Sequence, residues 1–212
     1  MPALRAQRMI DTAHSGSSEV LMVPWDGTVV VTTERLLLRT YTRADLPLYA
    51  ALNADPDVYR HLSGSPLTRE HSDDIAEWAQ ECYETEGVGL LAVELRDTGE
   101  FLGMCGLHHQ ESYPDELEVG WRLARAYWGH GYATEAAAGW LDYAFGVLEV
   151  QRVISMTDAS NQRSLAVMRR LGMVFDHEAE IVDDDMVHQA VVYSITAEAW
   201  TGRARLVSDP AG

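Results

Sequence analysis

Residues 115–140, DELEVGWRLARAYWGHGYATEAAAGW, change period midway, and that change constrains the fold more than any other feature of the chain. From Glu116 to Leu123 polar and apolar side chains alternate strictly. Leu117, Val119, Trp121 and Leu123 face one way and Glu116, Glu118, Gly120 and Arg122 the other, as in a strand. From Tyr132 the sequence is alanine-rich and free of proline, and alanine is the best helix former. A strand must therefore pass through a short loop holding Gly129, His130 and Gly131 and enter a helix. Glycine lets the backbone turn where a Cβ would clash, and lets another group approach the main-chain N–H groups. The first four N–H groups of a helix lack internal partners and sit at the positive end of its dipole, so this loop suits an anion such as phosphate. On the glycine pair alone, a plain tight turn into a helix remains the alternative.

The flanking segments give the order of elements. RLLLRTY reads as a strand, and RADLPLYAALNADPDVYRHL as short helices broken around Pro56. TREHSDDIAEWAQECYETEG opens on a threonine cap and closes at Gly87, so it reads as a helix. VGLLAVELRDTGEFLGMCGLHH is a hairpin about Asp97-Thr98-Gly99. After the alanine-rich helix come a buried strand, RVISMTD, and a helix from an Asn161 cap to Gly172. A last hairpin turns at Asp183-Asp184-Asp185. The class is α+β: a mixed, mostly antiparallel central sheet with helices on its faces. Residues 1–31 read as an N-terminal tail, 32–198 as one domain and 199–212 as a C-terminal tail.

Composition excludes several classes. A net charge of −17 argues against a nucleic-acid surface, which needs basic patches. No run of about 18 apolar residues is present, so nothing reads as a membrane span. The N-terminus lacks the apolar block of a secretory signal, and the expected location is cytoplasmic. Cys82 and Cys105 have no metal or redox spacing and read as reduced packing residues; His108, His109 and Glu111 do not match a zinc pattern, so no metal is expected. All 16 basic residues are arginine. Arg122, Arg125, Arg152, Arg163, Arg169 and Arg170 could form a local positive spot for an anionic cofactor, or a solvated mixed-charge face.

Two nucleotide motifs fail. A P-loop needs Lys-Ser or Lys-Thr after the second glycine, where Tyr132 and Ala133 stand, and a dinucleotide fingerprint needs glycine where Thr134 stands. EVGWRLARAYWGHGYATEA, followed after a strand by NQRSLAVMRRLGM, instead resembles the GNAT superfamily of acyl-CoA-dependent N-acetyltransferases, and within it the Rim-type branch that modifies N-termini of ribosomal proteins. The similarity covers roughly residues 32–198. The resemblance implies a sheet in which the strand bearing Glu118 and the strand of residues 152–158 form a parallel pair that splays apart, with pantetheine slipping between them. Main-chain groups at Trp121, Arg122 and Leu123 would bind its amides. Trp128, Gly129, His130, Gly131, Tyr132, Ala133 and Thr134 would hold the coenzyme A pyrophosphate. Trp128 departs from the glutamine or arginine common at its position, which removes a polar contact.

The resemblance also implies transfer of an acetyl group from acetyl-CoA to a primary amine, a protein N-terminus or a small molecule, by direct attack on the thioester. Such attack needs a neutral nitrogen, an oxyanion donor and a proton for the thiolate. With an α-amine pKa near 7.8, roughly a tenth of N-termini are neutral at pH 7, against a few in ten thousand lysines. Glu118 is the candidate base; the alternative makes Glu116 and Glu118 the polar face of a half-exposed strand. Many relatives carry an acidic tyrosine in the later helix where Met168 stands here, which leaves Met168 as a cofactor contact only. Ser164, in the middle of that helix's apolar face, either bonds back to the Ser160 carbonyl or reaches the coenzyme sulfur. Asn161 caps the helix and could also touch the pantetheine arm. A succinyl or other acyl transferase and a catalytically silent acyl-CoA-binding module remain alternatives, and a homodimer is left open.

Overall fold

The structure, a computed structural model, describes residues 25–61, 65–110, 112–183 and 186–208. Among the described residues eight strands form one sheet: β1 Val29–Thr32, β2 Leu36–Arg39, β3 Leu90–Leu95, β4 Phe101–Gln110, β5 Tyr113–Leu123, β6 Arg152–Asp158, β7 Val174–Asp183 and β8 Met186–Thr196. Their order is β1-β2-β3-β4-β5-β6-β8-β7. Every neighbouring pair is antiparallel except β5 with β6, as expected for this class. The helices are α1 Leu46–Asn53, α2 Pro56–Tyr59, α3 Arg69–Glu86, α4 Tyr132–Gly146, α5 Gln162–Arg170 and α6 Ala197–Ser208.

Local chemistry sets the helix ends. The Thr68 side chain accepts from the His71 N–H to start α3, and Gly87, at φ 73°, stops it in the left-handed conformation. Asn161 accepts from the Ser164 N–H to start α5. Pro56 begins α2 rather than merely interrupting it, because proline's missing N–H costs nothing in a first turn.

Both faces of the sheet are covered, so its central strands carry apolar side chains on both sides. On one face Leu91, Val93, Leu107, Leu117 and Val119 pack against Ala136, Ala137, Trp140 and Leu141 of α4 and against Leu165 and Leu171 of α5. On the other, Leu90, Ala92 and Met104 pack against Tyr49 and Leu52 of α1 and Ile75, Ala76 and Ala79 of α3. The fully buried Trp140 keeps its indole N–H satisfied by the Cys105 carbonyl at 3.0 Å.

The domain edges differ from the sequence reading. Residues 29–31, expected in the tail, belong to β1, which pairs with β2. Residues 199–208, expected as a tail, continue α6, and Trp200 of that helix donates to Asp142 at 2.7 Å. A large aromatic that can dock one end on the core and satisfy its N–H holds a chain end that composition alone would leave loose. Residues 1–24 and 209–212 lie outside the described residues, as do Glu111 and the Asp184-Asp185 turn. Among the described residues no helix is long and apolar enough to cross a membrane.

Candidate active site

The parallel pair is short. Leu117 pairs with Val153 and Glu118 with Ile154, and there the pairing ends. Residues 119–123 of β5 continue beside β4 as far as Leu123, and residues 155–158 of β6 continue beside β8 as far as Asp158. Their facing edges therefore part, leaving main-chain N–H and C=O groups open along a cleft. Glu118 stands at the apex. One carboxylate oxygen, Oε1, accepts from the Met156 N–H across the split at 3.1 Å.

A cavity of about 1140 Å³ fills the split and extends to both sheet faces. Its walls include β5 from Glu118 to Leu123, the loop into α4, residues 155–158 of β6, and α5 around Ser164; Asn53, Ile75, Leu90 and Met104 close it on the α1/α3 side. Gly129 and Gly131 both adopt the left-handed conformation, φ 82° and 84°. Gly131 is the N-cap of α4, and among the described residues no side chain caps the helix, so its first-turn N–H groups open on the cavity mouth. The glycine conformation and the uncapped first turn are the geometry an anion cradle needs.

The loop is clamped from β2's side. Glu135 accepts from the Thr33 hydroxyl at 2.6 Å and from the Arg35 main chain and side chain at 2.7 Å each, while Arg35 also donates to the His130 carbonyl at 3.1 Å. Burial pushes the Glu135 carboxyl up, but the hydrogen bonds from Thr33 and Arg35 outweigh it and hold the group below its ordinary range. The His130 ring stacks on Tyr132 at 5.6 Å. Trp128 spends its indole N–H on the Leu123 carbonyl at 2.7 Å and lies under the Arg163 guanidinium at 4.4 Å. Its ring thus shapes the loop, and a cation is supplied from α5 where the sequence had suggested only a lost polar contact.

Trp121, Arg122, Leu123, Trp128, Gly129, His130, Gly131, Tyr132, Ala133, Thr134, Asn161, Ser164 and Glu118 all line this one cavity. Met168 does not. It is fully buried, on the α5 face that packs into the core with Leu165 and Leu171, whereas Ser164 and Val167 lie one side round the helix and meet the cavity. Ser164 is not tied to the Ser160 carbonyl: its Oγ accepts from Asn161 Nδ2 at 3.1 Å, and Asn161 Oδ1 accepts from the Ser164 N–H at 3.2 Å. A hydroxyl that accepts still has its own proton to give. Of the six arginines grouped by position, Arg152 pairs with Glu116 and Asp176 and Arg125 with Asp57, so charge neutralisation dissolves part of the suggested positive spot.

Sequence reasoning missed His108. It faces Glu118 directly across β4 and β5, with Nε2 3.5 Å from Oε2, and both side chains are more than nine-tenths buried. Its Nδ1 lies 3.2 Å from the His109 carbonyl, which can only accept, so Nδ1 carries a proton and Nε2 is turned to the carboxylate. Gln110 donates to the same Oε2 at 3.2 Å, and Trp78 of α3 meets the imidazole edge-on. Only the 108/118 register could have shown this, and strand pairing is not written in either strand alone. Glu118 is thus no part of a half-exposed face; at 7% exposure it is a buried acid lining this cavity. Cys105 is fully buried and its thiol is pushed well up by burial, and Cys82 does not line the cavity. Among the described residues no cluster could hold a metal ion.

The acetyltransferase (GNAT) domain family matches residues 35–174. YkkB of Bacillus subtilis (strain 168) is 36% identical over 143 residues, covering 66% of this chain and 83% of that protein. The putative ribosomal N-acetyltransferase YdaF of the same organism is 30% identical over 132 residues, 60% of this chain and 69% of that one. Among solved structures, an acetyltransferase from Agrobacterium tumefaciens str. C58 superposes with a TM-score of 0.68 at 30% identity, covering 85% of this chain and 99% of that chain.

Proposed function

The chain belongs to the acetyltransferase (GNAT) domain family, and from that premise we propose that it transfers an acetyl group from acetyl-CoA to a primary amine, a protein N-terminus or a small amine, by direct attack on the thioester. The observation that carries the reading is the split between β5 and β6, with a buried carboxylate at its apex and an uncapped, glycine-flanked helix start at its mouth. The residues present fit the group. An extended pantetheine arm finds open main-chain edges at residues 121–123, and a pyrophosphate finds the N–H groups of residues 131–134 with Arg163 nearby. Bound acetyl-CoA would supply the activated acetyl group.

Glu118, with His108 behind it, receives the proton of the attacking amine. His108 Nε2, 3.5 Å from the carboxylate, can share that proton. The Met156 N–H and Gln110 amide keep the carboxylate aimed while it changes charge. Ser164, anchored by Asn161, keeps its O–H available to the departing thiolate. Direct attack is favoured over an acyl-enzyme because neither cysteine is an exposed thiol facing the cavity. The acceptor enters from the α1/α3 side, toward which Glu118 and Arg122 point. Resemblance to a protein named as a ribosomal N-acetyltransferase supports an N-terminal acceptor.

The test is coenzyme A release, followed with a thiol-reactive dye, from acetyl- and succinyl-CoA against a panel of peptides and small amines. Amine-dependent, saturable release from acetyl-CoA is expected. Calorimetric binding of coenzyme A without release for any amine would replace the reading with a silent binding module.

A further inference from the structure

We propose that Arg122 is a carboxylate-binding subsite at the acceptor end of this cavity, so that the chain takes acceptors in which a carboxylate stands about two residues' length from the amine; this rests on the acetyltransferase reading above. Half of the twelve arginines whose side chains are described meet acids. Arg39 is gripped by Asp45 and Glu94, Arg35 by Glu135, and Arg152 by Glu116 and Asp176. Arg122 is not among them. It lines the cavity, and among the described residues no carboxylate lies within 4.0 Å of its guanidinium.

Its anchor is neutral. One guanidinium nitrogen, Nη1, donates to Asn53 Oδ1, and Asn53 in turn donates to Ser72 at 3.2 Å, so the fork is oriented while its charge stays uncompensated. The Arg122 Nε is buried, and among the described residues it has no hydrogen-bond partner, although an orphaned donor on a charged group is costly. A carboxylate in the cavity meets the remaining terminal nitrogen, Nη2, and supplies the missing counter-charge. The neighbours set what carries it. Glu118, Gly120 and Arg122 point to the same face of β5, with glycine leaving the floor between the two charges without a side chain. Four strand residues span about 13 Å, and a hydrogen bond of about 3 Å at each end leaves roughly 7 Å. That is about the length of two extended residues, and exceeds the separation of amine and carboxylate in a single α-amino acid.

The test compares alanylalanine with alanylalanine amide. Calorimetry on the coenzyme A complex, which needs no turnover, is expected to show the free acid bound about tenfold or more tightly over the amide, as for a hydrogen bond to a charged group. In Arg122→Gln the ratio should fall to about one, and Arg122→Lys should recover part of it. Equal binding of acid and amide by the unaltered protein overturns the subsite. A preference for succinyl-CoA over acetyl-CoA that Arg122→Gln removes upholds the carboxylate subsite and assigns it to the acyl chain instead of the acceptor. Acid-over-amide discrimination in a protein that acetylates no amine upholds the subsite and sinks the acetyltransferase reading; acetyl transfer without discrimination does the reverse.

Discussion

At the scale of single residues, the His108–Glu118 pair has a consequence that two independent side chains would not. Glu118→Gln should lower kcat at neutral pH by roughly 10²-fold or more, as expected for loss of a general base, with coenzyme A affinity little changed. His108→Gln should cost about tenfold on its own. If the two act as one proton-holding unit, the double variant will be no slower than Glu118→Gln alone, because groups acting together are not additive. Additive losses in steady-state kinetics would separate them. Ser164→Ala is the complementary case. Alanine suits the helix, and the Asn161 amide that loses this part-buried bond keeps its bond to the Thr157 hydroxyl, so the melting temperature should hold while turnover falls about tenfold. Undiminished activity, with acetyl-CoA saturating and chemistry rate-limiting, would leave thiolate protonation to water.

At the scale of elements, the loop into α4 stands on two left-handed glycines and an external clamp. Gly131→Val places a branched side chain at φ 84°, which costs about 1–2 kcal/mol at a position only glycine takes readily. Its Cβ would also stand 3.5 Å from the Arg35 guanidinium, at the edge of the clamp that holds the loop. Coenzyme A affinity in calorimetry is expected to fall at least tenfold, since the side chain would project into the anion cradle while the modest strain leaves the fold standing. Affinity unchanged in the variant would remove the loop from the cofactor site. The same clamp explains why the loop could be recognised and its support could not. GHGYATEA announces a turn and a helix start, but Arg35 lies some hundred residues earlier in sequence and meets Glu135 only when β2 lies beside α4.

At the scale of the molecule, the α1/α3 face rests on a buried ion pair. Arg39 bridges Asp45 and Glu94 at 2.7 Å, and both Arg39 and Asp45 are buried. Burial raises the Asp45 carboxyl, but hydrogen bonds from Arg39 and from the Thr42 main chain and hydroxyl win and hold it below its ordinary 3.8. A depressed folded value means stability that is complete above the unfolded pKa and lost as pH falls through the folded one. Urea midpoints should therefore decline as pH drops from 3.8 downward, and Asp45→Asn should lose much of that dependence. Arg39→Met, which strands two acids, should cost about 3–5 kcal/mol at pH 7. An Arg39→Met midpoint equal to that of the unaltered protein would show the pair to be dispensable.

What the sequence determined by itself was whatever is periodic or local. The alternation through residues 116–123, the glycine loop, the caps at Thr68 and Asn161 and the hairpin at Asp97-Thr98-Gly99 each encode an element within a few residues, and the motif pair at its separation placed the chain in its family. What only the tertiary structure decided was whatever depends on register and burial. Pairing His108 with Glu118 turned a residue that reads as strand polarity into a buried acid facing an imidazole. Rotation of α5 sent Met168 into the core and Ser164 to the cavity, a difference of helix face that matching motif positions could not resolve. Asn53, Ser72 and Arg122 come from three distant elements and meet only because α1 and α3 cover the face of β5 on which Arg122 stands. Sequence patterns report the environment of a residue along its own element, whereas charge, exposure and partner are set by the elements laid against it, and the chemistry of this site resides in those contacts.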